Sequence, residues 1–260
     1  MNPRRVFILG CHRSGTTLVR LILNSHPDIH CFDEWKSYDS ILKDEYPNEK
    51  NAVLIGLKAP NWTEWLIESE HYRQYYRQDP ILFMMRDVRD VITSMLKLKT
   101  GQGPFLNNAL EAVEIKWPND PHRKFKMLHW EEYTRICQQD HPNLRKAALF
   151  WRYKTSRYLE MVKMGYPVLP VFYEKLVNHP KECLNLVTQF LEIPWHDSLL
   201  QHHQKIHDEV FKGLAVGNTK VDRKIDTTSV KKWQFTAEEE KAILEVASPW
   251  HEYISALENT

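Results

Sequence analysis

Near its start the chain reads "RRVFILGCHRSGTTLVRLILNS", residues 4–25, and no other stretch restricts the available folds so strongly. A short apolar run ends at Gly10, and from there the spacing G-x-x-x-x-G-x-T puts Gly15 and Thr17 in the frame of a phosphate-binding loop. The apolar positions of 16–25 then suit a buried helix. Strand, glycine loop and helix in that order let backbone amides turn toward an anion at the helix N-terminus, where the dipole favours negative charge. Position 16, however, is threonine where an ATP-binding loop carries lysine. That lysine serves the β- and γ-phosphates, so its absence points to a ligand without a γ-phosphate. A plain glycine turn would account for Gly10 and Gly15, but poorly for Arg13, Ser14, Thr16 and Thr17 crowded into the same turn.

Further apolar runs at 52–58 and 81–85 are each followed by helical patterns, at 61–78 and from Asp87 onward. Strands that alternate with helices imply an α/β fold, an open and mainly parallel P-loop-type sheet with helices on both faces. Residues 167–174 supply one more strand, and Pro170, lacking a donor, assigns it to an edge or a bulge. Helices are expected near 127–139, 143–164 and 180–193, the last with Pro at its start. A final helix follows the Thr236/Glu239 capping box. Residues 100–126 read as a long, partly irregular excursion of the kind that carries specificity. No linker-like tract divides residues 1–260, so one domain is expected.

Composition removes several classes. With 35 basic and 34 acidic residues nothing advertises nucleic acid or an anionic membrane, so any anion site is local. A mean hydropathy of -0.54 and the lack of any apolar run near ~18 residues point to a soluble, cytoplasmic chain, or to an excised domain. Cys11, Cys31, Cys137 and Cys183 form no C-x-x-C pair, which argues against a structural zinc and a disulfide framework. His196, His202, His203 and His207 have metal-like spacing but no accompanying carboxylate or cysteine pattern, and read as solvated helix or loop. No metal is expected.

In open parallel sheets ligands bind beyond the carboxyl ends of the strands. Each of the three leading strands delivers a candidate anion ligand there: the Arg13 loop, Lys58 and Arg86. Taken singly, Lys58 is an ordinary solvated strand end and "MRDVRD" an exposed, salt-bridged turn. Arg86 and Ser94 form a second candidate site, with Ser94 about two turns along the helix, so a shared phosphate would lie beside that helix.

These motifs carry a family resemblance. "GCHRSGTTL" resembles the 5′-phosphosulfate loop of sulfotransferases that use adenosine 3′-phosphate 5′-phosphosulfate (PAPS). "MMRDVRDVITSML" resembles their 3′-phosphate motif, "PVFYEKLVNHPKE" their Tyr-Glu-x-Leu segment, and "SVKKWQFTAEEEKAI" their C-terminal segment. In order, these span residues 5 to about 250. The resemblance implies a sulfotransferase fold with Arg13, Ser14, Gly15, Thr16 and Thr17 on the 5′ side and Arg86 with Ser94 on the 3′-phosphate. It implies Tyr173 near the nucleotide, Lys232 on phosphate, and Lys58, aided by Arg13, neutralising the leaving phosphate. Such a donor has no γ-phosphate, which accounts for Thr16. The product is adenosine 3′,5′-bisphosphate (PAP), and cations suffice for transfer without a metal.

An acceptor needs a general base. Cytosolic members place histidine two residues after the matching lysine, where this chain has Pro60. "HPDIHCFDEWKS" instead resembles the tyrosylprotein and heparan sulfate branches and implies Glu34 as base, with Asp33 as an alternative; from its place in the loop, His12 is expected to face the acceptor. Without the resemblance, Asp33 or Glu34 would simply open a helix over 34–43. A departure lies at Gly217 and Asn218, where tyrosylprotein enzymes have paired serines before the C-terminal Trp, here Trp233. The absence of an anchor, a disulfide pattern and a basic surplus favours a small-metabolite hydroxyl or amine acceptor over an acidic peptide tyrosine, its pocket shaped by 100–126 and 200–226. A small-molecule P-loop kinase and a catalytically silent nucleotide-binding protein are the alternatives of other classes.

Overall fold

A computed structural model describes residues 4–47, 52–100, 103–104, 131–205, 214–215 and 219–258. The chain divides into two compact units, one made of residues 1–85 and 158–227, the other of 86–157 and 228–260.

The first unit is built on a five-stranded sheet. Its strands are β1 (Arg4–Gly10), β2 (Ile29–Phe32), β3 (Leu54–Lys58), β4 (Ile81–Met85) and β5 (Val168–Phe172), in the spatial order β2-β3-β1-β4-β5. Every pairing is parallel, with Ile8 opposite Lys58, Gly10 opposite Met84 and Met85 opposite Phe172. The carboxyl ends of β1, β3, β4 and β5 therefore share one edge, as expected. β5 is an outer strand, where Pro170 sits opposite Phe83 and its missing donor is tolerated. β2 is a finding: four residues give too short a pattern to read as a strand, and only its ladder with β3 defines it.

Strand residues alternate between two buried faces. Val6, Ile8, Leu82 and Met84 meet Val19, Ile22 and Leu23 of α1 (Thr16–Asn24), together with Leu176 of α7 (Tyr173–Asn178) and Leu184 and Val187 of α8 (Pro180–Phe190). On the other face Phe7 packs edge-on against Tyr76, 5.1 Å between ring centres, and Phe83 lies 5.8 Å from Tyr158. Those partners belong to α4 (Glu70–Tyr76) and α6 (Pro142–Lys163). The helix expected over 61–78 is broken into a 3-10 turn, Pro60–Trp62, then α3 (Thr63–Glu68) and α4. Ser69 makes the break: its extended backbone ends α3, and its hydroxyl accepts from the Tyr72 amide to cap α4.

The second unit is mainly helical, with a short antiparallel pairing of Lys99–Thr100 and Gly103–Pro104. α5 (Val88–Lys97) starts at its cap Asp87 and buries Val88, Val91, Ile92 and Met95. α9 (Ala237–Ala247) carries the expected capping box, the Thr236 amide bonding Glu239 at 2.9 Å and the Glu239 amide bonding Thr236 at 3.2 Å. It is not the last helix, because α10 (Trp250–Glu258) follows, and the Trp250 indole donates to Thr155 of α6 at 2.6 Å. Among the described residues no helix is long and apolar enough to cross a membrane. Most of the expected excursion at 100–126, and His207, Gly217 and Asn218, lie outside the described residues.

Candidate active site

The loop between β1 and α1 turns at two glycines of positive φ, Gly10 and Gly15. Gly15 takes φ 98° as the N-cap of α1 and makes no side-chain cap hydrogen bond to the helix start. A Cβ at Gly15 would stand 2.6 Å from the Tyr173 ring. Tyr173 opens α7 at the end of β5, is buried, and closes against the loop. Arg13 is also left-handed, with φ 70°. The Ser14 amide donates to Cys11 at 3.2 Å, while the Ser14 hydroxyl is fully buried with no hydrogen-bond partner among the described residues. An orphaned buried hydroxyl at an uncapped helix start fits an anion such as a nucleotide 5′-phosphate. Thr16 is buried and Thr17 half-buried on the first turn.

Lys58 is not the solvated strand end that lysine suggests by itself, since it is 3% exposed at the end of β3. Its Nζ donates to Glu34 Oε2 at 2.7 Å. Glu34 is the first residue of α2 (Glu34–Lys43), and the phenol of Tyr38, one turn on, donates to its other oxygen at 2.8 Å. Asp33 is the cap of that helix, accepting from the Lys36 amide at 2.7 Å. Asp33 therefore starts the helix, while Glu34 faces Lys58.

Burial works against ionisation of Glu34, but the charges of Lys58 and His12 and the hydrogen bonds from Lys58 and Tyr38 outweigh it, leaving the carboxyl below its ordinary value. Burial also lowers Lys58, with Glu34 acting in the opposite sense. Beside the pair runs an aromatic strip. Tyr38 stacks on Trp62 at 6.5 Å and Trp62 on Trp65 at 5.3 Å, while Trp35, adjacent to Glu34 in sequence, is 72% exposed. Tyr38 escaped the sequence reading, although its i+4 spacing from a helix-opening Glu34 is a usable signal.

In the second unit Arg86 and Asp90 are buried, at 6% and 2% exposure, so the exposed-turn reading of "MRDVRD" applies only to part of it. The Trp151 indole donates to the Arg86 carbonyl at 3.0 Å, and the Arg86 guanidinium donates to the Ser229 carbonyl. Ser94 is half-buried on α5. Asp90 accepts from the Lys231 amide at 2.9 Å and the Lys232 amide at 3.1 Å. Arg89 pairs with Asp87 at 2.7 Å and Glu240 at 2.6 Å, and lies 4.1 Å over the Trp233 ring. Burial opposes ionisation of Asp87, yet hydrogen bonds from Arg89 and His251 hold its carboxyl far below the usual range. The Asp90 contacts escaped the sequence reading because its partners lie more than 140 residues away.

Cys11, Cys31, Cys137 and Cys183 form no disulfide. His196 accepts from the Ser198 amide at its own helix start, and His202 is fully buried rather than solvated. No group of three or more metal-binding side chains occurs among the described residues.

A family model described as "Sulfotransferase family" matches residues 3–79. The chain is 26% identical over 236 residues to protein-tyrosine sulfotransferase 1 of Danio rerio, covering 85% of this chain and 61% of that protein. It is 23% identical over 268 residues to protein-tyrosine sulfotransferase A of Caenorhabditis elegans, covering 90% and 62%. The chain thus spans about three fifths of the length of these two relatives. Among solved structures, the sulfotransferase domain from the Synechococcus PCC 7002 olefin synthase superposes with a TM-score of 0.54 at 17% identity, covering 96% of this chain and 95% of the other. That similarity is one of fold.

Proposed function

We propose that the chain is a sulfotransferase that transfers a sulfuryl group from PAPS to an acceptor hydroxyl, with Glu34 as general base, a reading supported by the family match over residues 3–79 and by the protein-tyrosine sulfotransferase relatives. The observation that carries this reading is the buried Lys58–Glu34 pair at 2.7 Å, a cation and a base set beyond the same sheet edge as the Ser14 loop. When bound, PAPS supplies the sulfuryl group, and its phosphate departs with the electron pair of the broken S–O bond. Arg13, Ser14, Gly15, Thr16 and Thr17 would hold the 5′ side, and Arg86, Ser94 and Lys232 the 3′-phosphate. Tyr173 would border the nucleotide through its packing on Gly15. Lys58 and Arg13 neutralise charge on the departing oxygen. The Glu34 carboxylate takes the acceptor proton as the new S–O bond forms, and Tyr38 keeps one carboxylate oxygen in place meanwhile. Positioning and charge carry the transfer, as in phosphoryl chemistry.

For the acceptor, similarity to protein-tyrosine sulfotransferases favours a peptide tyrosine over the small metabolite that charge balance suggested. The Trp35–Tyr38–Trp62 strip next to the base supports an aromatic acceptor, since a phenol ring packs well against such side chains.

The first test is a thermal shift with PAP, Mg-ATP and 5′-AMP. A ligand at ~100 times its Kd stabilises by about 2.7 kcal/mol, so PAP is expected to give the large shift. A shift with Mg-ATP alone would transfer the assignment to a kinase. Turnover with PAPS is then compared on a tyrosine peptide flanked by acidic residues and on 4-nitrophenol. Sulfation of the phenol with none of the peptide would restore the small-molecule reading.

A further inference from the structure

The turn that carries Lys232 is tied down by a buried carboxylate with no assigned part in binding or chemistry. Asp90 lies in the first turn of α5, where an acidic side chain usually stays in water and interacts with the helix dipole. Here it is 2% exposed, and each of its oxygens accepts one of two successive amides, from Lys231 and Lys232. Two consecutive amides converge on one carboxylate only if the backbone bends sharply between them. Lys231 accordingly adopts φ 54°, a left-handed conformation that a non-glycine residue keeps only where its surroundings impose it. The bend begins at Ser229, whose carbonyl accepts from Arg86, and ends at Trp233 under the Arg89 guanidinium. Both lysine side chains remain exposed, so the bonds to Asp90 use their backbones and not their charges.

We propose that Asp90 is a positioning residue for the 3′-phosphate of the donor: it latches the turn Ser229–Trp233, so that Lys232 is held on the same segment that Arg86 grips. The inference rests on the reading that this unit binds the second phosphate. Its physical content is preorganisation. A lysine on a tethered turn loses less freedom on closing over an anion than one on a loose segment, so the latch adds affinity only for ligands that carry that phosphate. It thereby sets selectivity for a 3′,5′-bisphosphate over a 5′-monophosphate, although Asp90 itself is an anion that would repel either.

The test measures Kd for PAP and for 5′-AMP by calorimetry on the wild type, Asp90→Asn, Lys232→Ala, the double variant and Arg86→Ala. Asp90→Asn is expected to weaken PAP about tenfold while 5′-AMP changes less than about twofold, and to add little once Lys232 is already alanine. Equal loss for both nucleotides, an unchanged PAP/5′-AMP ratio, tighter PAP binding, or full additivity in the cycle would each overturn the latch. Hydrogen exchange on the wild type supplies a check that needs no variant: the Lys231 and Lys232 amides should exchange slowly before any nucleotide is added, and exchange at the rate of open amides sinks the proposal. If Arg86→Ala leaves the PAP/5′-AMP ratio at its wild-type value, the second-phosphate reading itself fails. Sensitivity at Arg86 with none at Asp90 removes the latch alone.

Discussion

The loop of residues 10–17 and the turn of residues 229–233 are both candidate phosphate holders, yet they are organised differently. In the loop, consecutive residues do the work: Gly15 turns left-handed, the α1 amides lead off behind it, and the Ser14 hydroxyl sits buried without a partner. The turn depends on residues far away in the chain, Arg86, Arg89 and Asp90, which reach it across more than 140 positions. A device built mainly from consecutive residues is most sensitive within them, with Tyr173 as a distant support, whereas a long-range one is open to damage at either end. The two should therefore respond differently to substitution, and Glu34, the proposed base between Lys58 and Tyr38, should respond differently from both.

The largest expected effect is on chemistry alone. Glu34→Gln should lower turnover by ~10² or more while PAP affinity stays near wild type, as separate kinetic and calorimetric measurements would register. Retained turnover would remove Glu34 as the base, and a matching loss of PAP affinity would erase the distinction between base and phosphate holders. Next comes Gly15→Ala. With φ 98° and a new Cβ 2.6 Å from the Tyr173 ring, the substitution should destabilise by roughly 1–3 kcal/mol in chemical denaturation and spoil the loop for any nucleotide, PAP and 5′-AMP alike. A stable variant with normal affinity would mean that the loop is not held by its local geometry.

Arg86→Ala sharpens the contrast from the other side, since it should weaken PAP at least tenfold and leave 5′-AMP nearly unchanged. Uniform weakening would make Arg86 a structural residue.

The smallest effect concerns Tyr38→Phe, read in the pH profile. A base works while ionised, and Glu34 is held below its ordinary value of 4.5, so the acidic limb of kcat in the wild type should lie below that pH. Removing the phenol takes away a hydrogen bond to the ionised form, which raises the pKa and moves the limb upward. Turnover should fall a few-fold at most at neutral pH. A limb that stays put would show that Lys58 and His12 set the ionisation alone. The same shift bears on stability: the unfolded chain binds the proton more tightly here, so the contribution of Glu34 is complete above about 4.5 and is lost on acidification through its lower folded value.

Much of this was legible before any coordinates. The strand–loop–helix start, the parallel order, the restriction of β5 to an edge or a bulge by Pro170 and the Thr236 capping box all follow from rules that act within a few residues. Failures came where local rules are weak. Four residues are too few to announce β2, the helix over 61–78 gives no sign of its break at Ser69, and α10 follows where the capping-box helix is expected to be the last. Tyr38 could have been found by helical spacing. Asp90 could not, because nothing near it in the chain distinguishes a dipole-facing acid from a latch.

By itself, the sequence determined which residue types stand at the strand ends and that a left-handed glycine turn leads from β1 into α1, since hydrogen-bonding capacity and backbone freedom belong to residues and their immediate neighbours. Only the tertiary structure decided that Lys58 is buried against Glu34, that Asp33 caps while Glu34 faces the cation, and that Asp90 spends its charge on two distant amides. Those are matters of burial and of partners brought together by folding, and burial determines whether a charge stays solvated or must find a partner.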